Sequence, residues 1–242
     1  MTVFPTRFSL GLIGCGAFGR MMMPHLSAVA EVRVYDPAVA NVCSEPCLMA
    51  AAGCDVVVMA VPVGELRAAV RAVRPYLKNG VLVVDVGSVK IVPVQILREE
   101  LPETVRIAGL HPLFGPQSAA LSVAGHLVVV CPVRGDGVAR WLAVCLRRWF
   151  GVEVCVMTAE AHDREMAVVQ GVTHLVGRVM AEMGVRASGV TTRSFECLME
   201  AVEMVRHDAP GVGDAIARLN PYVGEVRRTF LAGVRREVEG QG

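Results

Sequence analysis

Apolar and polar positions along the chain follow two successive rhythms. Up to about residue 157, short apolar runs alternate with stretches in which apolar residues recur every three or four positions, as buried strands alternate with amphipathic helices. The runs at 8–13, 32–35, 55–61, 81–86, 105–110, 127–132 and 152–157 predict strands, with Pro62 closing the third and the later runs continuing a parallel sheet. Helices are predicted through 21–26, over 64–77 with Leu66, Val70 and Val73 on one face, over 91–101 and over 136–149, with a loop or short helix at 41–49. From Thr158 the strand rhythm stops. Thr158 reads as an N-cap with Glu160 and Asp163 in the first turn, and one long helix is expected to reach Glu182 and end at Gly184. Further helices are expected at 192–206, 212–218 and 222–238, separated by Pro210-Gly211 and Asn220-Pro221.

This order predicts an α/β domain over 1–157, a Rossmann-type doubly wound parallel sheet, followed by an all-helical domain over 158–242. The helical part cannot bury its apolar stripes alone, so packing against the first domain or a second subunit is expected, the latter as a homodimer through the C-terminal helices.

The junction of the first strand and first helix carries the first chemistry. Gly14-Cys15-Gly16-Ala17-Phe18-Gly19 has glycines where a dinucleotide loop needs them. Gly14 allows the tight turn, Gly16 lets backbone approach a pyrophosphate, and Gly19 lets helix and strand pack closely. The amides at the helix start attract phosphate. The second strand ends in Asp36, near the spacing expected of an acid that binds ribose hydroxyls. Asp36 repels a 2′-phosphate and no arginine follows in Pro37-Ala38-Val39, so NAD is the expected cofactor. Val61 and Pro62, at the carboxyl end of the third strand, are expected to border it.

Composition narrows the partners. Net charge is +1 and no basic run occurs, which argues against nucleic acid and anionic membranes and for a small-molecule substrate. The apolar runs are too short to span a bilayer, and the first strand begins too early for a signal peptide, so a cytoplasmic enzyme is expected. The eight cysteines are scattered, and only Cys43 and Cys47 lie close together, so no metal site is expected. Lysine occurs only at 78 and 90, which reads as coding bias.

The fourth strand leads into Gly87-Ser88-Val89-Lys90 and the fifth into His111-Pro112-Leu113-Phe114. Ligands of open α/β sheets sit beyond the carboxyl ends of the strands, and a histidine there can accept a proton from an alcohol. On the long helix, Gln170 and His174 lie one turn apart and nearly on one face. His162 is roughly 18 Å along the axis from His174, so His162-Asp163 reads as structural. His25, His126 and His207 lack a constellation.

Gly14 to Gly19 with Asp36, Asp85-Val-Gly-Ser88-Val-Lys90, Gly109-Leu-His111-Pro-Leu-Phe-Gly-Pro116, and His162-Asp163-Arg-Glu-Met166-Ala-Val-Val-Gln170-Gly-Val-Thr-His174 together resemble the prephenate and arogenate dehydrogenase family in order and spacing. The resemblance covers nearly the whole chain and matches that family's catalytic core, so neither a chorismate mutase segment before it nor an ACT segment after it is expected. It implies oxidative decarboxylation of a cyclohexadiene: hydride leaves the ring carbon bearing the hydroxyl, and carbon dioxide departs from the opposite carbon. It further implies that His111 takes the hydroxyl hydrogen bond with Ser88 in support, and that Gln170 and His174 hold the substrate's side chain or carboxylates. The family usually carries an arginine about thirty residues beyond the helix histidine. Here that position holds Glu203, with Arg206 three residues on and Arg193 as a weaker candidate. A Glu203 lining the pocket would favour a substrate with an ammonium group, arogenate or the 4-amino analogue of prephenate.

Two rivals remain. Reductases of the ketopantoate or β-hydroxyacid type need a lysine on the helix after the boundary, where Arg164 is the only cation before Arg178. An NAD-sensing protein without turnover would make His111 dispensable.

Overall fold

The computed structural model describes residues 8–119, 121–186, 189–208 and 211–240; Pro210 of the expected Pro210-Gly211 break lies outside them. The chain divides into two compact units, Met1–Ala159 and Glu160–Gly242.

The first unit is built on seven strands: β1 (Ser9–Ile13), β2 (Glu31–Tyr35), β3 (Val56–Met59), β4 (Leu82–Asp85), β5 (Arg106–Pro112), β6 (Leu127–Arg134) and β7 (Glu153–Val156). They lie side by side in the order β2-β1-β3-β4-β5-β6-β7. The first five strands are mutually parallel. β6 runs antiparallel to β5, and β7 follows β6. This corrects the expectation that the run at 127–132 continues a parallel sheet. A parallel return needs a crossover of a dozen or more residues, usually helical, and the described residues between β5 and β6 form no helix.

Side-chain alternation loads both faces of the sheet. Leu10, Leu12, Val56, Leu82, Val84, Ala108 and Leu110 join Met22 and Leu26 of α1 (Ala17–Ser27) and Val138 and Leu142 of α5 (Val138–Phe150) in one core. Ile13, Val57, Met59, Val83 and Ile107 join the other, formed with α2 (Glu45–Ala52), α3 (Val63–Val73) and α4 (Ile91–Glu100). Gly11 is the closest contact of the second layer, since a Cβ there would lie 1.9 Å from the Ala51 carbonyl oxygen. Helix α2 therefore rests directly on the backbone of β1. The chain reverses strand order between β1 and β3, and that switch point is where open sheets of this type place ligands.

The second unit consists of α6 (Ala159–Glu182), α7 (Arg193–Arg206), α8 (Val212–Leu219) and α9 (Val223–Glu239). Gly184 ends the α6 segment at φ 68°. Its small core is Ala167, Ile216 and Val223, and Gly171 lets Val223 approach α6 so closely that a Cβ would meet its side chain at 3.0 Å. No helix among the described residues is long and apolar enough to cross a membrane.

Candidate active site

The glycine loop separates three roles that the sequence shows only as spacing. Gly14 sits at φ 101°, and a Cβ on it would strike the Ala60 carbonyl oxygen at 2.4 Å. Gly19 would strike the Gly14 carbonyl oxygen at 2.6 Å, so both glycines serve internal packing. Gly16 differs, for a Cβ there meets nothing within 4 Å. That open space lies at the N-terminus of α1, where Gly16 supplies no capping side chain and the first turn holds no acid. The amides are thus left for an external anion, and the residues present fit a dinucleotide pyrophosphate.

Asp36 binds this loop to the end of β2. Its Oδ2 accepts a 2.6 Å hydrogen bond from the Cys15 amide, and Oδ1 accepts one of 2.8 Å from the Ala38 amide. Each oxygen keeps a lone pair for a ribose hydroxyl. Cys15 also accepts a hydrogen bond through its carbonyl from Arg20. Val61, half-buried, would lie 3.1 Å from a Cβ on Gly14, and Pro62 is exposed as the N-cap of α3. Ala17 opens α1, and Phe18 stands 6.4 Å between centroids from Phe114, in the loop that follows β5. The loop after β5 is thereby brought to the start of α1.

His111 lies within β5, not after it as the pattern suggests, paired in register with Val129 and only 3% exposed. The antiparallel partner β6 extends β5 by two residues past the apolar run and fixes the histidine's backbone. Asp85 is level with Gly109 on the neighbouring strand, so Ser88, half-buried in the bend after β4, and His111 arrive at the same sheet edge.

Beneath that edge lies a fully buried ion pair. Lys90 is 0% exposed, and its Nζ donates to Asp85 Oδ1 at 2.5 Å and to the Leu110 carbonyl at 2.6 Å. Asp85 Oδ1 also accepts from the Gly87 amide at 3.0 Å. The pair thus holds the backbone next to both Ser88 and His111. Gly109 leaves room for it, since a Cβ there would meet Lys90 Cδ at 2.9 Å.

In the helical unit, His174 is nearly buried and its Nε2 lies 3.3 Å from Asp208 Oδ2. Burial, with Arg178 and then Arg227 nearby, lowers the His174 pKa, whereas burial raises that of Asp208. Burial holds His174 toward its neutral form, so this contact is less than an ion pair. Gln170 is half-buried one turn before His174. His162 and Asp163 are completely buried, with Nδ1 and Oδ1 2.8 Å apart, and Asn220 donates to the Asp163 carbonyl at 2.7 Å.

Glu203 and Arg206 are both about half exposed and pair with each other at 2.5 Å, while His207 adds a second contact to Glu203 at 3.4 Å. Arg193, 75% exposed, pairs with Glu196 and Glu200. Among the described residues no group of three or more potential ligands could hold a metal ion.

The sequence matches the family model described as "Prephenate dehydrogenase, nucleotide-binding domain" over residues 30–158, more than half of the chain. The chain belongs to the prephenate dehydrogenase family. Similar relatives include a probable arogenate/prephenate dehydrogenase of Methanocaldococcus jannaschii, 27% identical over 73% of this chain and 41% of that protein. Arogenate dehydrogenase 2, chloroplastic, of Arabidopsis thaliana is 33% identical over 68% of this chain and 48% of that protein. The chain thus spans less than half the length of these curated relatives. In fold, it is similar to the prephenate dehydrogenase from A. aeolicus solved with hydroxyphenyl propionate and NAD+, with a TM-score of 0.74 at 18% identity, covering 99% of this chain and 91% of that one.

The span matched to the prephenate dehydrogenase family contains Asp36, Val61, Pro62, Ser88 and His111, and also the Asp85–Lys90 pair. That pair is absent from the candidates read from the sequence alone. Its signal was the scarcity of lysine: of two in the chain, one is wholly buried.

Proposed function

We propose that the chain catalyses NAD-dependent oxidative decarboxylation of a prephenate-type cyclohexadiene, prephenate or arogenate, to a 4-hydroxyphenyl product. The observation that carries this reading is His111, buried at the carboxyl end of β5 beside the Ser88 bend and tied through Leu110 to the Lys90–Asp85 pair. Family membership supports the reaction class, and the bound NAD+ of the A. aeolicus relative supports the cofactor. Gly16 and the uncapped start of α1 suit its pyrophosphate, and Asp36 suits its ribose.

When bound, NAD supplies the hydride acceptor. His111 accepts the hydrogen bond of the ring hydroxyl, and the bond strengthens as hydride leaves the carbon beneath and the oxygen becomes positive. The electron pair of the ring–carboxylate bond then enters the ring, carbon dioxide departs, and the proton held by His111 returns to the phenolic oxygen. Atoms and charge balance without a further reactant. Gain of aromaticity drives the step, so the chain's work is positioning. Gln170 and His174 hold the substrate from α6. A homodimer belongs to the same reading, because Val168 and Val169 on α6 and Leu231 and Val234 on α9 are exposed in the single chain.

The test is NADH absorbance with prephenate, arogenate and 4-amino-4-deoxyprephenate, each with NAD and with NADP. Turnover of prephenate or arogenate with NAD is expected. His111→Asn should retain NAD affinity and lose turnover by roughly two to four powers of ten. Absence of turnover on all three compounds, or an active His111→Asn protein, would overturn the proposal.

A further inference from the structure

The helical unit contains a polar cavity lined by His174, Arg178, Val205, Asp208 and Asp214, with Gly211 and Gly213 at its wall. Its charges are unusual for a site that takes a dianion. A substrate carrying a 2-keto acid side chain and a ring carboxylate brings two negative charges and no positive one, yet this cavity presents two carboxyl groups to its contents.

The positions of those groups are specific. Arg178 Nη2 reaches Asp214 Oδ1 only at 3.5 Å, with both side chains about half exposed, so most of the guanidinium's donors remain available. Gly213 makes this possible, because a Cβ there would lie 2.1 Å from Arg178 Nη2 and 3.2 Å from His174 Nδ1. Any side chain at 213 would take the guanidinium's place. On the other side, the only side-chain partner of Asp208 among the described residues is His174 Nε2 at 3.3 Å. That imidazole is held toward its neutral form by burial, so it does not neutralise the carboxylate. Asp208 is two-thirds buried without a cation, and burial raises its pKa accordingly. Arg227 contributes positive potential from α9, and its buried Nε has no hydrogen-bond partner among the described residues.

We infer that this cavity is an α-amino-acid subsite, in which Arg178 takes a carboxylate and Asp208, oriented by His174, takes the adjacent ammonium group. The inference rests on the proposed function and deepens it: the preferred substrate is the one whose side chain is an amino acid, arogenate, and the 2-keto acid prephenate is disfavoured by the Asp208 charge. A site that pairs a buried polar group with the substrate discriminates strongly against the analogue lacking it. The same chemistry is offered by the substrate's side chain and by a free amino acid such as the product tyrosine, and the cavity accepts both on these grounds.

Two measurements test it on the full chain. The first is the ratio of kcat/KM for arogenate and prephenate with NAD. The second is calorimetric binding, to NAD-loaded protein, of tyrosine and of 4-hydroxyphenylpyruvate, which differ only in ammonium against ketone. Arogenate is expected to exceed prephenate, and tyrosine to exceed the keto acid, each by about tenfold or more. Asp208→Asn should lower both ratios by at least about tenfold, whereas Arg178→Gln should weaken amino and keto acids alike. Loss of turnover on every ring compound with tyrosine binding still sensitive to Asp208→Asn would refute the reaction and leave the subsite standing. A preference for prephenate and the keto acid, or equal losses for both classes in Asp208→Asn, would overturn the subsite. Should Asp208→Asn fail to fold, Gly213→Ala, which displaces the guanidinium, is expected to weaken both classes in the same way as Arg178→Gln, and unchanged affinity would overturn the assignment.

Discussion

The amide of Cys15 donates a 2.6 Å hydrogen bond to Oδ2 of Asp36, joining the glycine loop after β1 to the end of β2. The carboxylate therefore fixes the loop, and on the proposed reading its remaining lone pairs are those offered to a ribose. Asp36→Asn can keep only part of this, because an amide offers one acceptor oxygen where the carboxylate offers two. Its KM for NAD is expected to rise by about tenfold or more. The preference for NAD over NADP should shrink, since the charge that repels a 2′-phosphate is gone. Steady-state kinetics with both cofactors checks this, and unchanged discrimination would show that Asp36 does not face the ribose.

Two glycines that look alike in the sequence should behave in opposite ways. Gly11→Ala would put a Cβ 1.9 Å from the Ala51 carbonyl oxygen, where neither β1 nor α2 can yield cheaply. It is expected to cost about 3 kcal/mol or more of stability, at the upper end of overpacking, with a visibly lower Tm. Gly16→Ala meets nothing within 4 Å and should leave Tm unchanged, yet raise the KM for NAD by crowding the approach of the pyrophosphate. Denaturation and kinetics on the same two variants separate packing from cofactor binding.

The contrast between those glycines marks what the sequence conveys and what it does not. Period and punctuation locate the seven strands and, among the described residues, the helices other than α2, whose segment reads only as a loop or short helix at 41–49, because apolar repeats and Gly/Pro breaks are local signals. Chain direction in β6 was not local, and His111 fell one element later than it lies because its strand is extended by pairing with β6. Gly11 sits inside an apolar run where nothing in the period marks it as a contact with α2. The scarcity of lysine reads as coding bias, and nothing in the period shows that Asp85, five positions earlier, and the Leu110 carbonyl enclose the Lys90 ammonium group. Conversely, Glu203 and Arg206 carry suitable chemistry at a suitable position, but three residues apart on one helix they satisfy each other. Arg178 and Asp208 are thirty residues apart in sequence, and only the folding of α6 to α8 puts them on one cavity.

Lys90→Met should reveal the difference between holding the site and merely filling the core. It leaves Asp85 charged and 2% exposed, a loss of about 3–5 kcal/mol by analogy with other broken buried pairs. Replacing both members, as Lys90→Met with Asp85→Leu, is expected to recover most of that stability, because no buried charge is stranded. Turnover should not recover, since the Leu110 carbonyl beside His111 and the bend at Ser88 have lost their common anchor. The signature is a low kcat with an unchanged KM for NAD in a double variant of near-normal Tm. A double variant with full turnover would reduce the pair to a structural role.

Acid should loosen the seam between α3 and α4 through one residue. Glu100 accepts from Arg71 Nε and Nη2, each at 2.9 Å, and from Arg67 Nη1 at 2.5 Å, while Arg67 also reaches Glu99. The Arg71 hydrogen bonds, then that of Arg67, hold the Glu100 pKa down at about 2, from an ordinary value of 4.5. A depressed carboxylate pKa means that the unfolded chain takes up the proton first as pH falls. The stabilisation is therefore complete above about pH 4.5 and is lost progressively between 4.5 and about 2. Other carboxylates titrate in the same window, so the quantity to follow is the difference in Tm between the wild-type protein and Glu100→Gln. That difference is expected to be constant from neutral pH to about 4.5 and to shrink below it, because the glutamine has no proton to gain. Added salt at neutral pH should narrow the same gap, since both arginines are substantially exposed and their attraction is screened. A difference that stays flat across the acid range would mean that Glu100 contributes by packing and neutral hydrogen bonds alone.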